Sequence, residues 1–189
     1  MSNPAHYRQM AAPLPGLIIF ERVPLADERG SFEHVFAPDA FAPWGISAPL
    51  AQVNISTTRT KGAVRGLHFQ RPPHAEDKIV SCITGSVFDV AVDLRARSPT
   101  FLAWHGQILS AENRLSMLIP KGFAHGFQAI TSDCRMLYLH TERYMPDADT
   151  GINATDPRLG ITWPAPITQR SPRDESWPGL AADFEGLTL

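Results

Sequence analysis

The chain is short of several things at once. It carries only two cysteines, Cys82 and Cys134, among 189 residues, with no Cys-x-x-Cys step and no Cys/His spacing. That argues against a disulfide framework or a zinc site, and reads the two thiols as buried and free. It has no excess of charge of either sign, since 17 Lys and Arg stand against 19 Asp and Glu. There is therefore no basic field for nucleic acid and no polybasic patch for a membrane surface, so any anion recognition must be local. No apolar run approaches membrane-spanning length. The opening stretch MSNPAHYRQMAAPLPGLIIF has neither a basic n-region nor a long apolar h-region, and a cytoplasmic protein is expected.

Helical signals are also few. What is present instead is 43% hydrophobic residues, too many for a disordered chain, punctuated by 17 prolines and 13 glycines. The length suits one domain over residues 1–189. Leu17 to Val23 and Leu50 to Thr60 read as strands, the latter ending at a Lys61-Gly62 turn. Lys78 to Arg95 reads as two strands around Thr84 and Gly85, with Phe88, Val90 and Val92 on one face and Asp89, Ala91 and Asp93 on the other. PDAFAPWG near Pro38 is a short-helix candidate, and the segment after Trp163 should pack over the strands. Many short strands with few helices predict an all-β antiparallel sandwich or barrel, a fold that can keep a ligand pocket inside.

Polar chemistry concentrates in RGLHFQ (Arg65 to Gln70) and the RPPHAEDK that follows. Such a run can hold a metal, grip an anion or move a proton. Metal-binding cupins, a jelly-roll family, use an HxH pair, a nearby glutamate and a PxGxxH corner. The corner is here, as Pro120, Gly122 and His125, but His68-Phe69-Gln70 stands where the pair would be. Gln70 is a poor transition-metal ligand, which leaves His74 or Glu76 as the only substitutes. In a regular strand Arg65, Leu67 and Phe69 share one face, and Gly66, His68 and Gln70 the other. Met136, Tyr138 and His140 likewise share a face of a later strand, and Lys78 begins an apolar one. Each polar residue alone has a bland reading: His68 as a satisfied core histidine, Tyr138 as a strand aromatic, Lys78 as a solvated strand end, His125 as a turn hydrogen bond.

Taken together the motifs resemble those of the dTDP-4-dehydrorhamnose 3,5-epimerase family, the sugar-nucleotide branch of the cupins. From about Leu17 to Pro178 the chain presents, in order, DERGSF, QVNIS, RGLHFQ, PPHAEDK, GSVFDVAVDLR, SPTF, LSAEN, IPKGFAHGF, LYLHTERYMP, DPRLGITWP and the spaced Ser171, Asp174 and Pro178. The resemblance implies a cupin-type jelly roll with a few short helices. It implies no metal, no cofactor and a homodimer whose N-terminal strands reach the partner. The implied substrate is a nucleotide-linked 4-keto-6-deoxyhexose whose C4 ketone acidifies the hydrogens at C3 and C5.

By the same matching His68 is the base, Asp174 its partner, Tyr138 the acid and Lys78 the enolate-stabilising cation. Arg29, Phe32, Gln52 and Asn54 fall on nucleotide-facing positions. Arg65 suits the diphosphate or sugar, and His125 and Tyr144 line the pocket. Strand parity offers Asp89 as the group that orients His125. The chain departs from the family at His34, where a glutamate is usual, at Leu139 after the tyrosine, and at Ala154-Thr155 before DPRLGI. Three readings stay beside the double epimerase: a mono-epimerase, a 3,4-ketoisomerase on another nucleotide sugar, and a non-catalytic sugar-nucleotide-binding cupin.

Overall fold

A computed structural model describes residues 6–46 and 49–189. The first five residues, part of the opening stretch read for a secretion signal, lie outside the described residues. In chain order the elements are β1 (Tyr7–Met10), β2 (Ile18–Arg22), β3 (Leu25–Asp27), β4 (Gly30–Phe32), α1 (Pro38–Phe41), β5 (Gln52–Thr58), β6 (Val64–Gln70), β7 (Lys78–Thr84), β8 (Ser86–Asp93), β9 (Trp104–Ser110), β10 (Leu115–Ile119), β11 (Phe123–Ala129), β12 (Cys134–His140), β13 (Asp149–Gly151) and α2 (Pro172–Ser176). A single 3-10 turn, Ala42–Trp44, extends α1. Among the described residues no helix is long and apolar enough to cross a membrane.

The all-β jelly roll expected from the sequence is what forms. A six-stranded antiparallel sheet in the order β1-β2-β10-β7-β12-β5 faces a five-stranded one in the order β13-β6-β11-β8-β9, with β3 and β4 as a separate hairpin. The facing sheets bury Ile19, Val80, Val87, Ala91, Met117 and Met136 between them. Strand alternation in β8 runs as read: Val90 and Val92 belong to the outer layer, Ala91 to the inner one. Cys82 and Cys134 are buried free thiols in this interior, and burial pushes the Cys82 thiol up to about 11.

Each sheet also has an apolar outer face that must be covered. On the six-stranded sheet α1 does this. Phe41 meets Tyr7, Phe20 and Trp44 with ring centroids 5.0 to 5.2 Å apart, a cluster seeded by Pro38 at the first helical turn. On the five-stranded sheet the C-terminal segment does it, with Trp163 against Phe88 and with Leu180, Phe184 and Leu187 in the same cluster.

The inner layer is not apolar throughout. Along β7 the inward residues run Cys82, Val80, Lys78, and opposite them on β12 run Met136, Tyr138, His140. The lining therefore changes from oily to ionisable within one strand length, and the space between the sheets opens there.

Candidate active site

At that opening lies a cavity of about 680 Å3, lined from both sheets and from the segment before and within α2. His68, Lys78, His125, Tyr138, Arg65, Asn54 and Asp174 all line it. The sequence scattered them over more than a hundred positions; sheet register gathers them.

His68 comes from β6, and its Nε2–H donates to Asp174 Oδ1 at 2.6 Å. Asp174 sits on α2, whose first turn is set by Pro172 and by the Ser171 hydroxyl accepting the Asp174 N–H at 3.1 Å. The second Asp174 oxygen accepts the Gly66 N–H at 3.3 Å. Burial alone would raise this carboxyl. The bond and charge of His68, with the Gly66 N–H, outweigh it and hold Asp174 below the ordinary carboxylate range. The His68 side chain is 34% exposed and Asp174 only 5%, so the imidazole faces the cavity and the carboxylate stands behind it.

Regular alternation predicts that Arg65 and His68 lie on opposite faces of β6, and this is corrected by the structure: both line the cavity. The cause is a bulge. Opposite β11, His68 pairs with His125 but Arg65 pairs with Phe127, so β6 carries one extra residue between them. Gly66 makes this possible. Its φ is +108°, and a β-carbon there would stand 2.7 Å from Gly126 Cα and from the His125 carbonyl oxygen.

Across the cavity the Tyr138 hydroxyl shares a hydrogen bond with Ser56 Oγ at 3.0 Å, from β12 to β5. Burial raises this phenol well above its ordinary value, so it stays protonated and able to donate. On the cavity floor His125 Nε2 lies 3.0 Å from both oxygens of Asp89, as strand parity suggested. Burial lowers His125 and raises Asp89, against their mutual attraction, so both are pushed away from their charged forms.

Lys78 reaches the cavity beside Glu76, with Nζ 3.3 Å from Oε1, and His140 Nδ1–H donates to the other Glu76 oxygen at 2.8 Å. Burial would raise Glu76; the His140 bond and the Lys78 charge outweigh it and hold the carboxyl low. A side recess of about 200 Å3 adjoins, lined by Gln52, Asn54, Tyr144, Asp149 and Arg173. There Gln52 Oε1 accepts the Tyr144 N–H at 3.1 Å, the Tyr144 hydroxyl donates to Asp149 at 3.1 Å, and Arg173 donates to the same Asp149 oxygen.

Of the expected binding residues, Gln52 and Tyr144 line the side recess alone, and two are brought neither to the cavity nor to the recess. Arg29 and Phe32 lie on the β3–β4 hairpin, Arg29 paired with Asp27 and Phe32 63% exposed, and neither lines the cavity of its own chain. Conversely, Ser56, His140, Arg170 and Arg173 line the cavity, and Glu76 and Asp149 the recess, although the sequence motifs imply no role for them there. The parity of β12 already put His140 on the face of Tyr138, and that was the available signal. Glu76 lies in an irregular stretch where no periodicity speaks. Among the described residues no group of three or more His, Cys, Asp or Glu side chains is arranged to hold a metal ion. The Gln70 amide is taken up by backbone: it donates to the His74 and Arg143 carbonyls at 3.1 Å and accepts the Met145 N–H at 2.7 Å.

Comparison with known proteins gives a consistent picture. Residues 11–182 match the family model described as dTDP-4-dehydrorhamnose 3,5-epimerase. The dTDP-4-dehydrorhamnose 3,5-epimerase of Methanothermobacter thermautotrophicus is 42% identical over 179 residues, covering 93% of this chain and 96% of that one. The dTDP-4-dehydrorhamnose 3-epimerase of Streptomyces niveus is 41% identical over 152 residues, covering 79% of this chain and 72% of its own. Among solved structures, the dTDP-6-deoxy-D-glucose-3,5-epimerase of Legionella pneumophila in complex with dTDP-4-keto-L-rhamnose superposes with a TM-score of 0.90 at 37% identity, covering 97% of this chain and 100% of that one.

Proposed function

The chain belongs to the dTDP-4-dehydrorhamnose 3,5-epimerase family, and from that premise we propose that it epimerises a dTDP-linked 4-keto-6-deoxyhexose at C3 and C5. The observation that carries the reading is the His68–Asp174 dyad, at 2.6 Å, opening into the same cavity as the protonated Tyr138.

The chemistry follows from the groups available. With Nε2–H on Asp174, the neutral His68 ring keeps its lone pair on Nδ1. It removes the proton from the carbon beside the C4 ketone, and the electron pair moves into the ketone as an enolate. Asp174 steadies the imidazolium that results, and Lys78 places its positive charge near the enolate oxygen. Tyr138 returns a proton from the opposite face, which inverts the centre; solvent then restores the phenol and the imidazole. The substrate's own ketone is the electron sink, so the scheme runs on side chains alone. His125 with Asp89 forms a fixed wall for the sugar, and Arg65 is suited to the diphosphate.

A homodimer belongs to this reading. The β3–β4 hairpin projects Leu25 and Phe32 at 50% and 63% exposure, and β5, a sheet edge, leaves Val53 and Ile55 at 57% and 52%. Exposed apolar side chains on a projecting hairpin and an open edge call for cover. A second copy's hairpin would bring Arg29 and Phe32 to the nucleotide end, where the chain's own side recess offers Gln52, Asn54 and Tyr144. A cytoplasmic setting is part of the proposal and agrees with the two free thiols.

The test is to incubate the protein with dTDP-4-dehydro-6-deoxyglucose in deuterated water and follow C3 and C5 by NMR. Deuterium at both carbons is the expected result. Deuterium at one alone makes it a mono-epimerase, the activity for which the Streptomyces niveus relative is named. No exchange with this or any other nucleotide form of the sugar overturns the enzymatic reading.

A further inference from the structure

Glu76 and His140 form a buried pair on the cavity wall that the scheme above leaves without a task. His140 and Lys78 are direct partners across β12 and β7, and Glu76 precedes Lys78 by two residues. The three side chains are only 11 to 14% exposed, with Glu76 between the His140 imidazole at 2.8 Å and the Lys78 ammonium at 3.3 Å. The carboxylate at Nδ1 fixes the tautomer of the neutral ring: hydrogen on Nδ1, lone pair on Nε2. The ring lies nearly parallel to that of Tyr138, centroids 6.1 Å apart at 22°.

The far nitrogen is the informative one. His140 Nε2 meets Asn54 Nδ2 at 3.4 Å, at the long limit of a hydrogen bond. His140 and Asn54 line both the main cavity and the side recess, so this loosely held acceptor sits where the two meet. A wall that only needed filling would do as well with apolar side chains of the same volume, because burying an ion pair gains little over a hydrophobic replacement. The chain instead maintains a buried carboxylate that holds Lys78 through one oxygen and, through the other, orients an acceptor on His140 beside Tyr138.

We propose that His140 is a specificity-determining residue that accepts a hydrogen bond from a sugar hydroxyl through Nε2, with Glu76 as the positioning residue that fixes its tautomer. The inference rests on the reading of this cavity as the sugar site. The class it selects is an uncharged, hydroxylated hexose. A hydroxyl can donate to Nε2 while accepting from Lys78. An amino-sugar ammonium would meet the Lys78 charge at the same place.

Calorimetric titration with dTDP and with dTDP-glucose, a hydroxylated sugar ligand, tests this. His140→Phe keeps the ring volume and the stack on Tyr138 but removes the acceptor. It should weaken dTDP-glucose about tenfold, the scale of one hydrogen bond, and leave dTDP within about twofold. Glu76→Gln should weaken dTDP-glucose by a smaller factor, and should add nothing in the His140→Phe background. In turnover the loss should fall more on KM than on kcat. Equal weakening of both ligands, or of neither, overturns the proposal, as does a full additional loss from Glu76→Gln in the double variant. If His140→Phe does not fold, His140→Gln, which keeps a polar terminus, supplies the same ligand comparison with a smaller loss expected. Normal deuterium exchange in the parent with unaltered sugar affinity in the variants sinks this inference alone. Absent exchange in the parent sinks the reading of the cavity beneath it.

Discussion

Of the three carboxylate–imidazole pairs at the cavity, two make an instructive contrast. His68 and Asp174 lie 2.6 Å apart with the imidazole 34% exposed; His125 and Asp89 lie 3.0 Å apart with 6% and 0%. In the first pair the carboxyl is held low, ready to stabilise a positive ring. In the second, burial drives the carboxyl up and the imidazole down, so neither member readily carries charge. In the scheme we propose, identical functional groups thus serve as a proton-transfer device in one setting and a rigid wall in the other. Solvent access and the extra donor from Gly66 account for the difference.

Substitutions can break that contrast. Asp174→Asn should have the largest effect: loss of the carboxylate leaves an imidazolium without its counter-charge. Deuterium wash-in at C3 and C5 should slow by about 10²- to 10³-fold, within the range of general acid–base effects. Tyr138→Phe comes next. Proton removal by His68 should continue, so wash-in at the reacting carbon persists, while formation of the inverted product falls about 10²-fold. Unchanged product formation would exclude Tyr138 as the acid. Asp89→Asn should act mainly on stability. It disturbs a fully buried hydrogen-bonded pair, worth about 1–3 kcal/mol in a urea melt, and should slow wash-in by no more than about tenfold on the same scale.

The smallest effect is on pH dependence, where the pairs have opposite signs. The folded-state pKa of Asp174 is depressed, so the unfolded chain binds more protons in the window between the two values. Its contribution to stability is present above the unfolded value of about 3.9 and is lost as pH falls through the folded one. Asp89 is raised in the folded protein, so its contribution is present below about 3.9 and is lost as pH rises through the folded value. Melting temperatures across the acid range should therefore fall less steeply with acid in Asp174→Asn than in the parent. Asp89→Asn should instead recover part of its deficit as pH rises. Parallel pH curves for the parent and both variants would contradict the assignment.

Period-two patterning served well where strands are regular. It puts Phe88, Val90 and Val92 on one face of β8, which the fold makes the outer layer, and Tyr138 and His140 together on β12. It failed at Arg65, because a bulge at Gly66 shifts parity by one residue and nothing in strand periodicity marks it. The pairing of His68 with Asp174 spans 106 residues and depends on how a five-residue helix packs on β6. No local pattern carries that, and only the family motif pointed to it. In sequence Glu76 stands as a substitute metal ligand for the missing second histidine of an HxH pair. In space it meets His140 and Lys78 instead, from a non-repeating loop.

The central claim is that the His68–Asp174 dyad moves the proton. The most direct test is deuterium wash-in at C3 and C5 for His68→Ala, with dTDP binding measured on the same sample. The expected result is loss of label at both carbons with nucleotide binding retained. Label entering at the parent rate would show that His68 is not the base.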